Sequence, residues 1–382
     1  PFWLKSAQTV ASLWGAHPRP MRAPRRDFLM ALRVSGPLCM VAFWSVGVQC
    51  CSNFAMDNDY GISVRTMDLG AVPFQWMLVT RPAGTKGLRS SKHGYTAFVE
   101  QFGPALLDTF ISAGMNDAGV SCDIQTLLRS EHPKHNASLD NIDSAFICQW
   151  ALEGFSSVRE LKAGLDGVNF VTSLIDGRLG FVDAHWVFRD SLGHGLVMEF
   201  LEGQMQVYDD NNDEGKTGFG IMTNEPPFLW QLEAVRHLKW KQSLSRAAVT
   251  MPGTWYPDDR VQRIYLVKSA MPKPKSYEEA VMQAVHTLNT ITVPMGSQIG
   301  TDSGKGEGEG DHTQWAVIYD HKNATLYWRS EANQNLQRLR LADAKLTTGM
   351  KEQVLRVESP RLPWFNDAAV AFQPREEQQV LL

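Results

Sequence analysis

The chain has 382 residues, 43% of them hydrophobic and 20% charged, with a formal net charge of -4 and no basic tract. Those values supply enough apolar material for a packed core and leave no electrostatic footprint for nucleic acid, so a soluble globular enzyme is the class that remains. Twelve tryptophans and eighteen phenylalanines point to a large buried aromatic surface and an apolar binding pocket.

In chain order, residues 1–20 show no apolar periodicity, and Met21 reads as the true start. From there a basic segment (Arg22, Arg25, Arg26) precedes a mostly apolar run from Phe28 to Val48, broken by Arg33 and Gly36-Pro37, as in a secretory signal peptide. The run is too interrupted to predict a stable membrane anchor. Val48 and Cys50 are small enough to flank a signal-peptidase site, so residues 1–50 are expected to be removed and the product exported, with Cys51 as its first residue. Cleavage after Gln49 would leave Cys50 first instead. An N-terminal cysteine can act as nucleophile while its own α-amine, of pKa roughly 7.7–8.0, carries the proton.

The roughly 330 residues from 51 to 382 suit one large domain or two small ones. Tyr60 to Met67 and Gln75 to Thr80 read as strands of an antiparallel ladder; Gly180-Phe181-Val182, Gly195 to Leu201 with Gln204 to Tyr208, and Trp315 to Tyr319 with Thr325 to Arg329 read as further hairpins. Helical spacing is clearest at Asn141 to Leu152, Ser157 to Leu165 and Ser276 to Leu288. Strands in two groups with helices between them predict an α+β layered sandwich. Cys122 and Cys148 either pair in an oxidising compartment or stand as buried thiols, and their spacing leaves both open. The run Ser303 to Gly310 departs from the phosphate-loop pattern and reads as a flexible surface loop, and the histidines form no metal-binding spacing. No metal and no organic cofactor is expected.

Several segments then align in order: Cys51-Ser52-Asn53-Phe54, Arg65-Thr66-Met67-Asp68, Gly114 to Val120, Met222 to Phe228 with Trp230-Gln231, Pro252-Gly253 with Asp259-Arg260, Val293 to Gly296, and Thr313-Gln314-Trp315 through Leu326 to Arg329. In these the chain resembles the choloylglycine hydrolase family, which holds penicillin V acylases and conjugated bile acid hydrolases among the N-terminal-nucleophile hydrolases. The resemblance implies a four-layer αββα sandwich over residues 51–382 that hydrolyses a linear amide through an acyl-thioester, often as a homo-oligomer.

It assigns Cys51 as nucleophile, Arg65 as the cation that favours its thiolate, and Asp68 as the acceptor that orients the α-amine. Asn224 and the backbone N–H of Thr126 become oxyanion donors, and Arg329 steadies Cys51. Strict alternation would send Arg65 and Asp68 to opposite faces of their strand, so a bulge or strand end is expected there. Met67, Met115, Leu127 and Phe228, with Phe54, neighbour these segments and are the expected walls of an apolar acyl pocket. A penicillin V or N-acyl amide substrate is expected; a conjugated bile acid, or a binding protein that kept the fold without the chemistry, are the alternatives.

Overall fold

A computed structural model describes residues 51–366 except 71–73, 89, 103–104, 108–109, 129, 173–182, 212–216, 246–248 and 298–309. The expected leader with Met21 and its cleavage site, the strand at Gly180-Phe181-Val182 and nearly all of the glycine-rich run lie outside the described residues.

The strands, in chain order, begin with β1 (Ser52–Ala55), β2 (Ile62–Leu69), β3 (Gln75–Arg81), β4 (Tyr95–Phe102), β5 (Ala105–Leu107), β6 (Ala113–Asn116) and β7 (Ser121–Thr126). There follow β8 (Asp140–Asp143), helices α1 (Ile147–Gly154) and α2 (Val158–Gly164), then β9 (Val168–Val171), β10 (Ala184–Arg189), β11 (Gly195–Leu201), β12 (Gln204–Asp209) and β13 (Ile221–Met222). Helices α3 (Phe228–Leu244), α4 (Pro257–Ala270) and α5 (Tyr277–Asn289) precede β14 (His312–Asp320), β15 (Thr325–Ser330), β16 (Gln337–Arg340) and β17 (Gln353–Arg356).

One sheet runs β13-β1-β2-β14-β15-β16, and a larger one runs β12-β11-β10-β7-β6-β4-β3-β17 with β5 beside β4. Trp150, Leu152, Val158 and Leu161 of α1 and α2 pack on Ile124, Phe188 and Met198 of the larger sheet. On the smaller sheet, Leu232, Val261, Ile264 and Ala284 of α3 to α5 cover Phe54, Val64 and Ile318. Between the sheets, Met67, Trp315, Val317 and Trp328 meet Phe98, Ala113 and Met115. The result is the expected four-layer αββα order, with each sheet buried on both faces.

Local chemistry explains most of the boundaries. The Ser157 and Ser276 hydroxyls accept from the N–H groups of Glu160 and Glu279, each at 3.2 Å, and so cap α2 and α5. The helix expected from Asn141 starts only at Ile147, because Asp140–Asp143 is a strand paired in parallel with Val168–Val171. Strands β2 and β3 do not form the expected ladder: they lie in different sheets. Cys122 and Cys148 are joined by a disulfide, which ties β7 to α1. No helix among the described residues is long and apolar enough to cross a membrane.

Candidate active site

Cys51 immediately precedes β1 and is buried, with Sγ 4.0 Å from Met67 Sδ and 3.7 Å from the main-chain oxygen of Asp68. Strand β2 pairs with β1 without interruption, Ser52 opposite Thr66 and Asn53 opposite Arg65. Of the bulge or strand end expected at Arg65 to Asp68, β2 shows the strand end, at Leu69, while a bulge lies in the facing strand β14, between Thr313 and Trp315. Arg65 and Asp68 stay on opposite faces, and the site is assembled around the strand end rather than on one side of it.

On the face between the sheets, Arg65 donates to the carbonyls of Thr66 and Ile124, and its guanidinium lies 4.9 Å from the centre of the Trp315 ring. Asp123 of the larger sheet accepts from Asn53 Nδ2 at 2.8 Å and from the Tyr319 hydroxyl at 2.7 Å. On the other face, the Asp68 carboxylate accepts from the hydroxyls of Thr66 at 3.0 Å and Thr313 at 2.5 Å. The Thr66 oxygen in turn accepts from the N–H of Ser52 at 3.0 Å, so Asp68 is linked through one hydroxyl to the first peptide after Cys51.

Asn224 follows β13, in a loop that the buried Gln231 side chain fastens at three points. Gln231 of α3 donates to the carbonyls of Asn224 at 2.8 Å and Pro226 at 2.7 Å, and accepts from the N–H of Thr223 at 2.9 Å. Asn224 Nδ2 donates to the carbonyl of Thr126 at 3.1 Å, which brings these two predicted residues together. An amide nitrogen carries two hydrogens, so one is left for a further acceptor. The N–H of Leu127 bonds to the Asp183 carbonyl across the ladder, a register that turns the Thr126 N–H away from β10.

Sequence reasoning gave no role to Arg260, which α4 places at the centre. It is fully buried and donates to the Cys51 carbonyl and the Ser52 hydroxyl, each at 2.5 Å, and to Asn224 Oδ1 at 2.9 Å. Its only signal in the sequence was its place in the Asp259-Arg260 segment of the family resemblance. Arg329, expected against Cys51, has its described hydrogen bond to the Thr292 hydroxyl at 2.9 Å. Strand β15 is separated from β1 by the two strands β2 and β14, and Arg260 is the arginine whose described bonds reach Cys51.

The expected pocket walls divide. Met67 and Met115 belong to the inter-sheet cluster that contains Cys51. Phe54 and Phe228 belong instead to the cluster that α3 to α5 cover, because side chains alternate along β1 and Phe228 opens the inner face of α3. Leu127 is buried just beyond β7.

Burial pushes the Cys51 thiol up, and the nearby charges of Arg65 and Arg260 pull against it. The expected lowering by Arg65 is present in direction, but desolvation outweighs it. Burial likewise raises Asp68 to about 6, opposed by Arg260, by the Thr313 and Thr66 hydroxyls and by Arg65. Among the described residues no group of three or more His, Cys, Asp or Glu side chains is placed to hold a metal ion. A cavity of about 610 Å³ opens at the far end of β1 and β2, bordered by Asp57, Tyr60, Ser63, Arg189, His194 and His321; Cys51, Asp68 and Asn224 do not border it.

The four-layer αββα sandwich is the fold of the N-terminal-nucleophile hydrolases, and Cys51 is buried at the head of its strand β1. Residues 50–355 match the family of linear amide C–N hydrolases, choloylglycine hydrolase family, and the chain belongs to it. It is 25% identical over 272 residues to a bile salt hydrolase/transferase of Clostridium perfringens, covering 65% of this chain and 80% of that one. It is 24% identical over 302 residues to a penicillin V acylase of Pectobacterium atrosepticum, covering 73% and 76%. Its fold matches a point variant of the conjugated bile acid hydrolase from C. perfringens with a TM-score of 0.64 at 20% identity, over 80% of this chain and 97% of that one. A penicillin V acylase from Agrobacterium tumefaciens matches with a TM-score of 0.63 at 22% identity, over 80% and 91%.

Proposed function

We propose that residues 1–50 are removed as an export leader and that Cys51, as the new N-terminus of a domain spanning 51–382, hydrolyses a linear amide through an acyl-thioester. The observation that carries this reading is the bridge made by Arg260, which ties the Cys51 carbonyl and the Asn224 side chain to one guanidinium. Nucleophile and oxyanion donor are thereby held in a fixed relation before substrate arrives.

In this mechanism the Cys51 α-amine takes the thiol proton and the thiolate attacks the amide carbon. The carbonyl π pair moves onto oxygen, where the second Asn224 Nδ2 hydrogen and the Thr126 N–H receive it. Collapse re-forms the carbonyl and breaks the C–N bond, and the leaving amine takes the proton from the α-ammonium. Water then attacks the thioester, passing a proton to the α-amine; the C–S bond breaks and the thiolate recovers that proton. Asp68, ionised at neutral pH because it titrates at about 6, orients the amine from its place beside the Ser52 peptide.

The substrate in this reading is an amide with an apolar acyl half, phenoxyacetyl or fatty-acyl rather than steroid, received on the Met67 and Met115 side. The Cys122–Cys148 disulfide supports export, since such bonds persist in oxidising compartments. The test is amine release from penicillin V, a glycine-conjugated bile acid and an N-acyl fatty amine, by the wild-type protein and by Cys51→Ala. Release by wild type alone is expected; equal release by both would end the mechanism.

A further inference from the structure

The layer between the sheets, which holds Cys51, contains a carboxyl that the mechanism does not use. Glu100 lies on β4, two residues beyond Phe98 and directly opposite Trp76 of β3. Side chains alternate along a strand and cross-strand pairs share a face, so Glu100 points to the side where Phe98 and Trp76 join the Cys51 cluster. It is 2% exposed, and its Oε1 has no hydrogen-bond partner. Trp315 of the same cluster leaves its Nε1 unpartnered as well. A short series of side chains joins this carboxyl to the nucleophile. Cys51 Sγ lies 4.0 Å from Met67 Sδ, and Met67 stands opposite Trp315 in the β2–β14 ladder. The Trp315 ring stacks on Phe98 with centres 4.2 Å apart and meets Trp76 edge-on at 5.4 Å. Trp76 Nε1 donates to Gln314 Oε1, and Gln314 Nε2 donates to the carbonyls of Leu69 and Gly70. Glu100 therefore lies one aromatic layer from Met67, level with the end of β2 that carries Asp68.

A buried polar group without a partner is rare in a native fold, because it gives up water and gains nothing in return. No cation offsets the burial of Glu100: desolvation alone raises it to about 8, so the carboxyl is protonated at neutral pH. A protonated carboxyl carries one O–H donor and one carbonyl acceptor, and the small group that satisfies both is a hydroxyl. A wholly apolar acyl chain laid against it leaves it unpaired. We propose that Glu100 is a specificity residue that receives a hydroxyl carried on the acyl half of the substrate. The inference rests on the acyl placement given above and narrows it from any apolar acyl group to a hydroxylated one.

The test measures binding of free acids to the full chain carrying Cys51→Ala, followed by tryptophan fluorescence, so that Glu100 is read whether or not the thioester route holds. Dodecanoic acid is compared with its mid-chain hydroxy, ω-hydroxy and ω-amino derivatives, and cholanic acid with cholic acid. The expected result is at least one hydroxylated acid bound about tenfold more tightly than its hydroxyl-free parent, and the series in which this occurs tells a fatty chain from a steroid. Adding Glu100→Leu should abolish that preference with no fall in melting temperature, since an unpaired polar group is removed. Adding Glu100→Gln, which keeps a donor and an acceptor, should preserve it. With Glu100 present the preference should shrink above about pH 8 as the carboxyl ionises, and with Gln it should not. No preference in either series, or a preference that Glu100→Leu leaves intact, would overturn the proposal. So would tightest binding of the ω-amino acid, because Glu100 would then be a site for a cation. The expected pattern in a protein that releases no amine would count against the reaction and not against Glu100.

Discussion

At their Cys51 end, β1 and β2 bury Arg65, Asp68, Asn224 and Arg260, all fully removed from solvent and bonded into chains that meet at Cys51. At their Asp57–Ser63 end the same two strands border the 610 Å³ cavity, and there Ser63 Oγ lies 2.7 Å from His321 Nε2. By distance alone that hydroxyl and imidazole pass for a nucleophile and its base. Burial pushes His321 down to about 4, so the ring is neutral, and its Nδ1 faces the Gly119 carbonyl at 2.8 Å. Nδ1 must then donate, leaving Nε2 to accept from Ser63, and both nitrogens are used in fastening β2 to two turns. What separates the two ends is not space or a short contact but two arginines whose charges pull the Cys51 thiol down, one of them bonded to both the Cys51 carbonyl and the Asn224 side chain.

That contrast can be broken most severely at the nucleophile. Cys51→Ser is expected to lower amine release by roughly 10³-fold or more while the fold is kept, since a hydroxyl is not ionised as a thiolate is near neutral pH; steady-state release and a melting curve decide it. Arg260→Met removes four donated bonds, to the carbonyls of Cys51 and Trp255, the Ser52 hydroxyl and Asn224 Oδ1, and frees Asn224 to turn, and a loss on the order of 10² in kcat is expected with a smaller change in KM. A change confined to stability would make Arg260 a structural residue only.

Asp68→Asn is predicted to lower kcat and to remove only the part of the acid limb near pH 6, where the carboxylate that orients the amine forms, leaving the limb set by the Cys51 α-amine. Its effect on stability has the opposite sign. A carboxyl raised from 3.8 to about 6 holds a proton in the folded state that the unfolded chain gives up. Its contribution is complete below about pH 4 and lost as pH rises past about 6. The variant should therefore be slower than wild type yet no less stable above pH 6, as thermal melts at several pH values will show. The smallest effect is assigned to the other end: Ser63→Ala should leave kcat unchanged and cost about 1 kcal/mol of stability, the worth of one buried hydrogen bond.

Elements with one clear period could be read from the sequence. The β11–β12 and β14–β15 hairpins and the serine-capped α2 and α5 lie close to where spacing put them. Helix α3 escaped because it is apolar on both faces, which blurs the single-sided pattern. Helix α4 escaped because its buried face carries Arg260, Arg263 and Lys268 beside Val261 and Ile264, so it reads as polar. The same cause hid the central arginine. Cys51, Arg65 and Asp68 stand on or beside the paired strands β1 and β2, which are close in sequence, whereas Arg260 reaches Cys51 across 209 positions. No spacing rule reports a contact of that range; the resemblance that placed Asn224 gave the arginine's role to Arg329, whose described bond is to Thr292.

The central claim is that the working nucleophile is a free N-terminal cysteine, and the N-terminus of the active protein tests it most directly. Protein purified after expression of the full chain would be fractionated, each fraction assayed for amine release and its first residues sequenced. The account predicts that activity coincides with chains beginning at Cys51. Activity in chains that still carry residues ahead of Cys51 would contradict it.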